Sequence, residues 1–550
     1  MIVGQSHFKS LAFRVTVTLV NYIGLVTANV IIVIVFLGGL HGLFSPLAII
    51  LLFIAIPEVS FYLVWFLPYR SRLQGHGPKP MPLSRGLRMS IFKRGLDHVP
   101  DVEQYIRKWH SNAHNDDIRQ DNYKEWLLWA LFDRDGDLGD NSAELDEYIQ
   151  YVEEKGELKI KKGQGDAVPI RLTFDTVEMT HRSLTFYTLV GLADVITTVM
   201  FLAKGFEFYR QPRSTFFTTF PFRFKTLLSP HASPCAQLSY FHRPHTSSTH
   251  RPVIFLHGGG VGLAAYSQWL TSLPRDVGVL ALEILPISSR ISGPLPTTHE
   301  LLSALAAILY KHDVKDAILI GHSFGTLLTS PMLQRPDIAG RIASIILADP
   351  VSLLLHLPDV SYNLTRRAPR PGRPNDWQTR FWASDPGMAH TLARRLCWHD
   401  FVLWTEQLQG RRTTVVLGGD DSVVNADAVA SYIYYGDVKY SRQDRREWRT
   451  TPERWTGQEE LALLYLEGKD HGHAFLSAEG MKSMTRVVEA YGALTQTWGT
   501  RAVDMAKLEE GLESPPMVPP KSKPVDSIRE MRILEASAKT EPLSGRKRWL

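Results

Sequence analysis

At 550 residues the chain is longer than one ordinary domain, so two or three regions are expected. Its 44% apolar and 21% charged residues describe a globular protein with an added hydrophobic component. A net charge of +5, not gathered into aromatic-interleaved basic patches, gives little support to nucleic-acid binding, and two distant cysteines, Cys235 and Cys397, argue against a disulfide framework or a cysteine-rich metal site.

The chain opens with apolar sequence. Residues 15–39 carry no charge, and after a short uncharged link a second apolar run covers 46–67. Each is long enough for the roughly 20 residues that cross a bilayer as a helix. Two consecutive long runs fit a cleaved signal peptide poorly. Pro57 and Glu58 in the second run predict a kink and a polar contact between the paired spans. Lys9 and Arg14 precede the pair, the link is uncharged, and Arg70, Arg72, Lys79, Arg85, Arg88, Lys93 and Arg94 follow. The positive-inside rule therefore predicts a helical hairpin with both ends in the cytosol. Residues 1–94 are read as this anchor, so the protein is expected to be integral to a membrane the sequence does not identify, with its remainder cytosolic.

Residues 95–234 read as mainly helical, with Trp109, Trp126 and Trp129 spaced for packing. Asp133 to Asp137 with Glu144 resembles a calcium loop, but Leu138 stands where that loop needs glycine, and a solvated acidic turn is the plainer reading. Within this region 184–206 is about as long as a span and carries only Asp194 and Lys204 as charges. It is a third crossing, an interfacial helix, or a helix buried against the domain C-terminal to it. A crossing would place the later residues on the opposite side and make Asn363 a glycosylation acceptor.

Next comes a region, 235–500, in which apolar strands alternate with chemistry-bearing loops. Ala317–Ile320 leads into Gly321-His322-Ser323-Phe324-Gly325, and a helix-like stretch comes after it. Strand, G-x-S-x-G, helix is the pattern of a nucleophile elbow, in which the glycines permit a sharp turn that lifts a serine hydroxyl off the sheet edge. Serine needs a base, a carboxylate to orient that base, and donors for an oxyanion. Upstream, strand Val253–Leu256 precedes His257-Gly258-Gly259-Gly260, whose Gly259 N–H and the Phe324 N–H are the candidate oxyanion donors; His257 is read as shaping the loop. Downstream, strand Thr413–Leu417 precedes Gly418-Gly419-Asp420-Asp421. Asp421 is the favoured acid, with Asp420 and Asp349, which ends strand Ser344–Ala348, as alternatives. The strand Leu461–Leu466 precedes Asp470-His471-Gly472-His473, where His471 is the favoured base and His473 the alternative.

The glycine loop, the Gly321 to Gly325 elbow, Asp421 and His471 together resemble the α/β-hydrolase family over about residues 235–495. The resemblance implies an α/β-hydrolase fold, a mostly parallel sheet with flanking helices and a helical cap, set behind the membrane hairpin and helical linker. Residues 352–412 then form the cap, whose Trp377, Phe381, Trp382, Trp398, Phe401 and Trp404 either line an acyl-chain channel or pack the cap onto the sheet. More narrowly, Asp349-Pro350-Val351, Leu357-Pro358-Asp359-Val360 and Tyr362-Asn363 look like a group of membrane-attached eukaryotic hydrolases of fungal type. In that group an Asp-His pair stands where Asp470-His471 lies, which supports His471 over His473. Residues 501–550, basic and Pro-containing, read as a mostly disordered tail.

These readings predict a membrane-anchored serine hydrolase acting on a hydrophobic, lipid-type ester. The alternatives are an acyltransferase using the same triad and a non-catalytic membrane scaffold. No cofactor, metal or nucleic acid is expected, and no protein partner is identifiable; the partners are the lipid membrane and the ester itself.

Overall fold

Strands buried on both faces of a parallel sheet read as nearly unbroken apolar runs, and the centre of this chain is built from such runs. In the computed structural model, residues 7–136, 139–370, 373–436, 455–456 and 459–493 are described. Among them eight strands form one sheet: β1 (Glu207–Tyr209), β2 (Ser239–Arg243), β3 (Val253–Leu256), β4 (Val279–Glu283), β5 (Ala317–His322), β6 (Ile342–Ala348), β7 (Arg412–Gly418) and β8 (Leu461–Leu466). Their order is β1-β2-β4-β3-β5-β6-β7-β8. The pairs β1/β2 and β2/β4 are antiparallel and the rest parallel. The sheet thus begins at Glu207, before the 235 boundary read from the sequence.

Side chains alternate across a strand, and the two faces feed two cores. Ile254, Leu256, Leu319, Ile345, Leu347, Val415 and Leu417 enter one core. Val253, Phe255, Ile318, Ile320, Ile346, Val416 and Leu464 enter the other. The first core also takes in Phe92, Trp109, Trp126, Tyr148 and Ile170 from the helical region before the sheet. Trp109 packs with Trp126 and Trp129 at ring-centroid distances of 5.4 and 5.6 Å. That region and the sheet therefore share one interior. Polar ties run the same way, with Lys108 on Asp359 and Arg366 on Asp175, each at 2.6 Å.

The N-terminal apolar sequence forms α1 (His7–Asn21), α2 (Ile23–Gly38) and a continuous helix α3 (Pro46–Arg72). With α4 (Leu184–Ala203), two helices among the described residues, α3 and α4, are long and apolar enough to cross a membrane, or three if the bent pair α1–α2 is one span. The first expected span, 15–39, is not a straight helix: it bends by 68° between Asn21 and Ile23. The Ser183 hydroxyl donates to the Val20 carbonyl at 2.7 Å, the oxygen an unbroken helix would offer to the amide of residue 24. Pro57 lies within α3, which continues through a π turn at Phe61–Phe66.

The polar contact expected of Glu58 is made, but to α4 and not to its hairpin partner. Its carboxylate accepts the amides of Leu184 at 2.8 Å and Thr185 at 2.9 Å and the Thr185 hydroxyl at 2.7 Å. The Ser183 hydroxyl accepts the Phe186 amide at 2.9 Å. Glu58 and Ser183 thus cap a helix whose first amides have no intrahelical acceptor.

The segment expected to form a cap is helical, and includes α5 (Pro374–Ala383) and α6 (Pro386–Arg394). Its aromatics pack rather than line a channel. Trp377, Phe381 and Trp382 join Phe186, Tyr187 and Val190 of α4 and Val17 of α1. The Trp398 indole donates to the Ala130 carbonyl at 2.8 Å, Phe401 enters the first core, and Trp404 stacks on His356. In the calcium-like run, residues 137 and 138 lie outside the described residues, and Glu144 is held by Arg88 and Tyr148. Asn363 is buried with its amide on the Val423 carbonyl, which leaves no room for a glycan on the folded protein. Contacts divide the chain into Met1–Trp498 and Gly499–Leu550; the latter, and with it the expected disordered tail, lies outside the described residues.

Removing the Glu58 carboxylate strands two amides. Glu58→Ala is expected to destabilise the protein by about 1–3 kcal/mol, measured as thermal unfolding in detergent. Val59→Ala, on the outward side of the same turn, is expected to change stability little. Equal effects would contradict the capping role.

Candidate active site

Five parallel strands, β3 and β5 to β8, end on one edge of the sheet; Gly321 and His322 close β5, and Gly259, Ser323, Phe324, Asp349, Asp420, Asp421, His471 and His473 each come after one of the five. Ser323 stands directly after β5 with φ of 49°, a left-handed conformation that few non-glycine residues adopt. The turn is held by close approach on both sides. A Cβ on Gly325 would lie 2.2 Å from the Leu256 carbonyl oxygen, and one on Gly258 would lie 2.9 Å from Ser323 Cβ. Both positions admit only glycine, so β3 and its glycine loop sit directly against the elbow.

The structure brings Ser323, His471 and Asp421 into one hydrogen-bonded chain. Ser323 Oγ is 2.7 Å from His471 Nε2, and His471 Nδ1 is 2.8 Å from Asp421 Oδ2. A carboxylate can only accept, so Nδ1 carries the proton and, in the neutral ring, Nε2 accepts from the serine hydroxyl. Asp421 is fixed by its own loop, its Oδ1 accepting the amides of Val423 at 2.6 Å and Val424 at 2.9 Å. Burial raises the Asp421 carboxyl above its usual range, with His471 partly offsetting this. Burial also disfavours a charged His471, but the Asp421 carboxylate outweighs it, and Asp349 and Asp470 add to the effect. The imidazole is therefore held above its usual 6.5.

The alternatives lie elsewhere. His473 Nδ1 meets the Asp470 backbone at 3.0 Å and braces its loop. Asp420 is half exposed, 3.5 Å from Arg373. Asp349 is buried but does not reach His471 Nδ1. Its two oxygens accept the amides of Gly418 at 2.8 Å and Gly472 at 2.7 Å. It thereby ties the loop carrying Asp421 to the loop carrying His471. Burial alone would raise its carboxyl; His322 and His471 nearby and the Gly472 amide more than offset this and hold it below its usual range.

On the other side, Gly258 donates to the Tyr266 hydroxyl at 3.0 Å and Gly260 to the Ile287 carbonyl at 3.0 Å. Among the described residues the Gly259 amide between them meets no acceptor. The Phe324 amide belongs to the first turn of the helix Ser323–Leu328, where amides lack intrahelical partners. His257 shapes the loop: its Nε2 accepts the Ile284 amide at 2.9 Å and its Nδ1 donates to the Gly258 carbonyl at 2.8 Å. Burial pushes it down to about 4, so it is neutral.

One connection carried no sequence signal. The Tyr266 hydroxyl also meets His322 Nδ1, 2.7 Å away, and since the other ring nitrogen faces the acceptor-only Asp349 carboxylate, the ring proton belongs on Nε2 and the hydroxyl donates to Nδ1. The remaining His322 N–H then faces Asp349 at 3.7 Å, beyond hydrogen-bonding distance. Glycine loop, elbow and the two downstream loops are thus joined through Tyr266, His322 and Asp349, which lie far apart in sequence. Met388 of α6 lies against Gly259, so the cap reaches over the loop.

Among the described residues two groups bring ligand-type side chains together: Cys397, His399 and Asp400, and Asp349, Asp421 and His471. In the second group the acid oxygens are already taken by backbone amides and the imidazole, which suits orientation of a base better than metal ligation.

An NMR titration of the His471 ring is expected to give a pKa above 6.5, falling in D421N, where burial acts with its chief counter-charge removed. An unchanged value would contradict this electrostatic reading.

The arrangement can be set beside known proteins. The family model described as alpha/beta hydrolase family matches residues 253–503. No curated protein matches the sequence. Among solved structures, a bacterial membrane phospholipase A is similar at 10% identity, covering 56% of this chain and 94% of that one with a TM-score of 0.35. A structure from work on carboxylesterases of the thaumarchaeon Nitrososphaera gargenis shares 16% identity, covering 47% and 96% with a TM-score of 0.31. The 2-hydroxy-6-oxo-6-phenylhexa-2,4-dienoate hydrolase of a Rhodococcus strain shares 14%, covering 46% and 95% with a TM-score of 0.31. Family match and strand order agree: among the described residues, the mostly parallel sheet and its flanking helices form an α/β-hydrolase domain.

Proposed function

We propose that the protein is a membrane-anchored serine hydrolase that cleaves a hydrophobic, lipid-type ester through an acyl-enzyme. The observation that carries this reading is the chain Ser323–His471–Asp421, with its two bonds of 2.7 and 2.8 Å. His471 takes the Ser323 proton as the oxygen attacks the ester carbonyl. Asp421 keeps the imidazole in the required tautomer and stabilises its cation. The Gly259 and Phe324 amides receive the oxyanion, where charge develops. His471 then gives its proton to the leaving alcohol and activates the water that releases the acid. The lipid substrate is argued from location: the apolar helices α2 and α3 would hold the site beside lipid. The basic residues flanking them favour a cytosolic site. The Asp349-Pro350-Val351 and Asp470-His471 patterns support kinship with membrane-attached eukaryotic hydrolases of fungal type.

A fluorophosphonate probe is expected to label the intact protein at Ser323 and to leave S323A unlabelled. D421N is expected to lose roughly 10⁴-fold in kcat. Because the imidazole must be neutral to accept a proton, and Asp421 raises its pKa, kcat/KM is expected to rise with pH through a limb above 6.5. Labelling unaffected by S323A, or a limb well below that value, would overturn the mechanism.

A further inference from the structure

With 20 residues, α4 has the length of a transmembrane helix. A crossing would put everything before Ser183 on one side of a bilayer and everything after Lys204 on the other. Yet Phe92, Trp126 and Tyr148, which precede α4, share one core with Tyr240, Leu282 and Leu353, which come after it. The ion pairs Lys108–Asp359 and Arg366–Asp175 join the same two parts. No bilayer fits between groups in contact.

The polarity of α4 is inverted relative to a water-facing helix. Phe186, Tyr187, Val190, Asp194, Thr197 and Phe201 face the protein, while Leu189, Leu192, Val195, Ile196, Val199 and Leu202 face outward, each 50–60% exposed. The one carboxylate points inward and is satisfied there, by Arg290 at 2.8 Å and Lys225 at 3.0 Å. Beside the helix, Pro221 packs against Gly191, and its neighbours Phe217, Phe222 and Phe224 are exposed. The outward apolar surface continues onto α3, which α4 meets at Glu58 and which exposes Phe53, Ile56, Leu63 and Val64.

We propose that α4 lies along the bilayer surface, its outward face seated in lipid beside the point where α2 and α3 enter, and does not cross. This rests on the reading that α2 and α3 insert in a membrane. Continuity with their apolar surface selects lipid over a protein partner, which would have to cover both. An interfacial helix buries one apolar face to the acyl boundary and keeps its polar groups away from it, which is the disposition of α4. The inward face meanwhile packs on Gly262–Tyr266, the continuation of the glycine loop. The Ser323 site would then sit one layer of protein above the lipid.

The test uses sealed microsomes from cells expressing the full chain in a C235S/C397S background. Single cysteines replace Lys161, before α4, or Lys315, after it, both exposed. A membrane-impermeant maleimide is expected to label both to the same extent; protection of one alone would show a crossing and overturn the proposal. An environment-sensitive dye at residues 189, 195 or 202 of protein reconstituted in phosphatidylcholine vesicles is expected to be quenched several-fold more by shallow than by deep spin-labelled lipid at all three. Deep quenching at 195 alone, or none at any, would also overturn it. Release by alkaline carbonate would instead overturn the anchored reading, and the surface-seated helix with it; retention with opposite-side labelling would overturn only the latter.

Discussion

The buried carboxylate of Asp349 is the constraint on which the arrangement at the sheet edge depends. Parallel strands bring their succeeding loops to one edge, but adjacency alone does not hold loop backbones in register. Asp349 binds the last amide of β7, where the loop carrying Asp421 begins, and one from the loop after β8. It also faces His322, which is tied through Tyr266 to the glycine loop after β3. One acid thus fixes the backbones that carry Asp421 and His471. A buried carboxylate satisfied by two amides costs far less than an unpaired one, so the arrangement is stable as well as ordered.

Much of this was legible in the sequence because buried parallel strands leave a simple trace. Val253–Leu256 and Leu461–Leu466 coincide with β3 and β8, and the glycine and histidine loops come directly after them. The order serine, acid, histidine then pointed to residues that meet in space. The choice between Asp421 and Asp349 was harder, since both stand after a strand. What separates them in the structure is that an Asp421 oxygen lies 2.8 Å from His471 Nδ1, a distance that residue order does not encode. The Tyr266–His322–Asp349 connection left no trace, because its members sit on separate elements and each reads alone as ordinary. β1 and β2 were silent too: they are short and carry Glu207, His242 and Arg243 among their apolar residues.

The apolar helices show the converse. Length and composition mark α4 as a span, and only its tertiary partners argue otherwise. Likewise Glu58 stands out as a polar residue in an apolar run, but its partner is the amino end of a helix far along the chain. The bend between α1 and α2 has the same origin, since Ser183 at that helix end takes the Val20 carbonyl. The N-terminal helices and the cap meet around Phe186, Tyr187 and Phe381, so the region read as an anchor is continuous in packing with the region that covers the site.

The central claim is that Ser323 forms a covalent acyl intermediate. The direct measurement is to mix the protein with a medium-chain nitrophenyl ester, quench in acid within the first turnover, and locate the added acyl mass by peptide mass spectrometry. An acyl group is expected on the peptide carrying Ser323, accumulating with a burst of nitrophenol and absent from S323A. Turnover without that adduct, or with the acyl group on another residue, would contradict it.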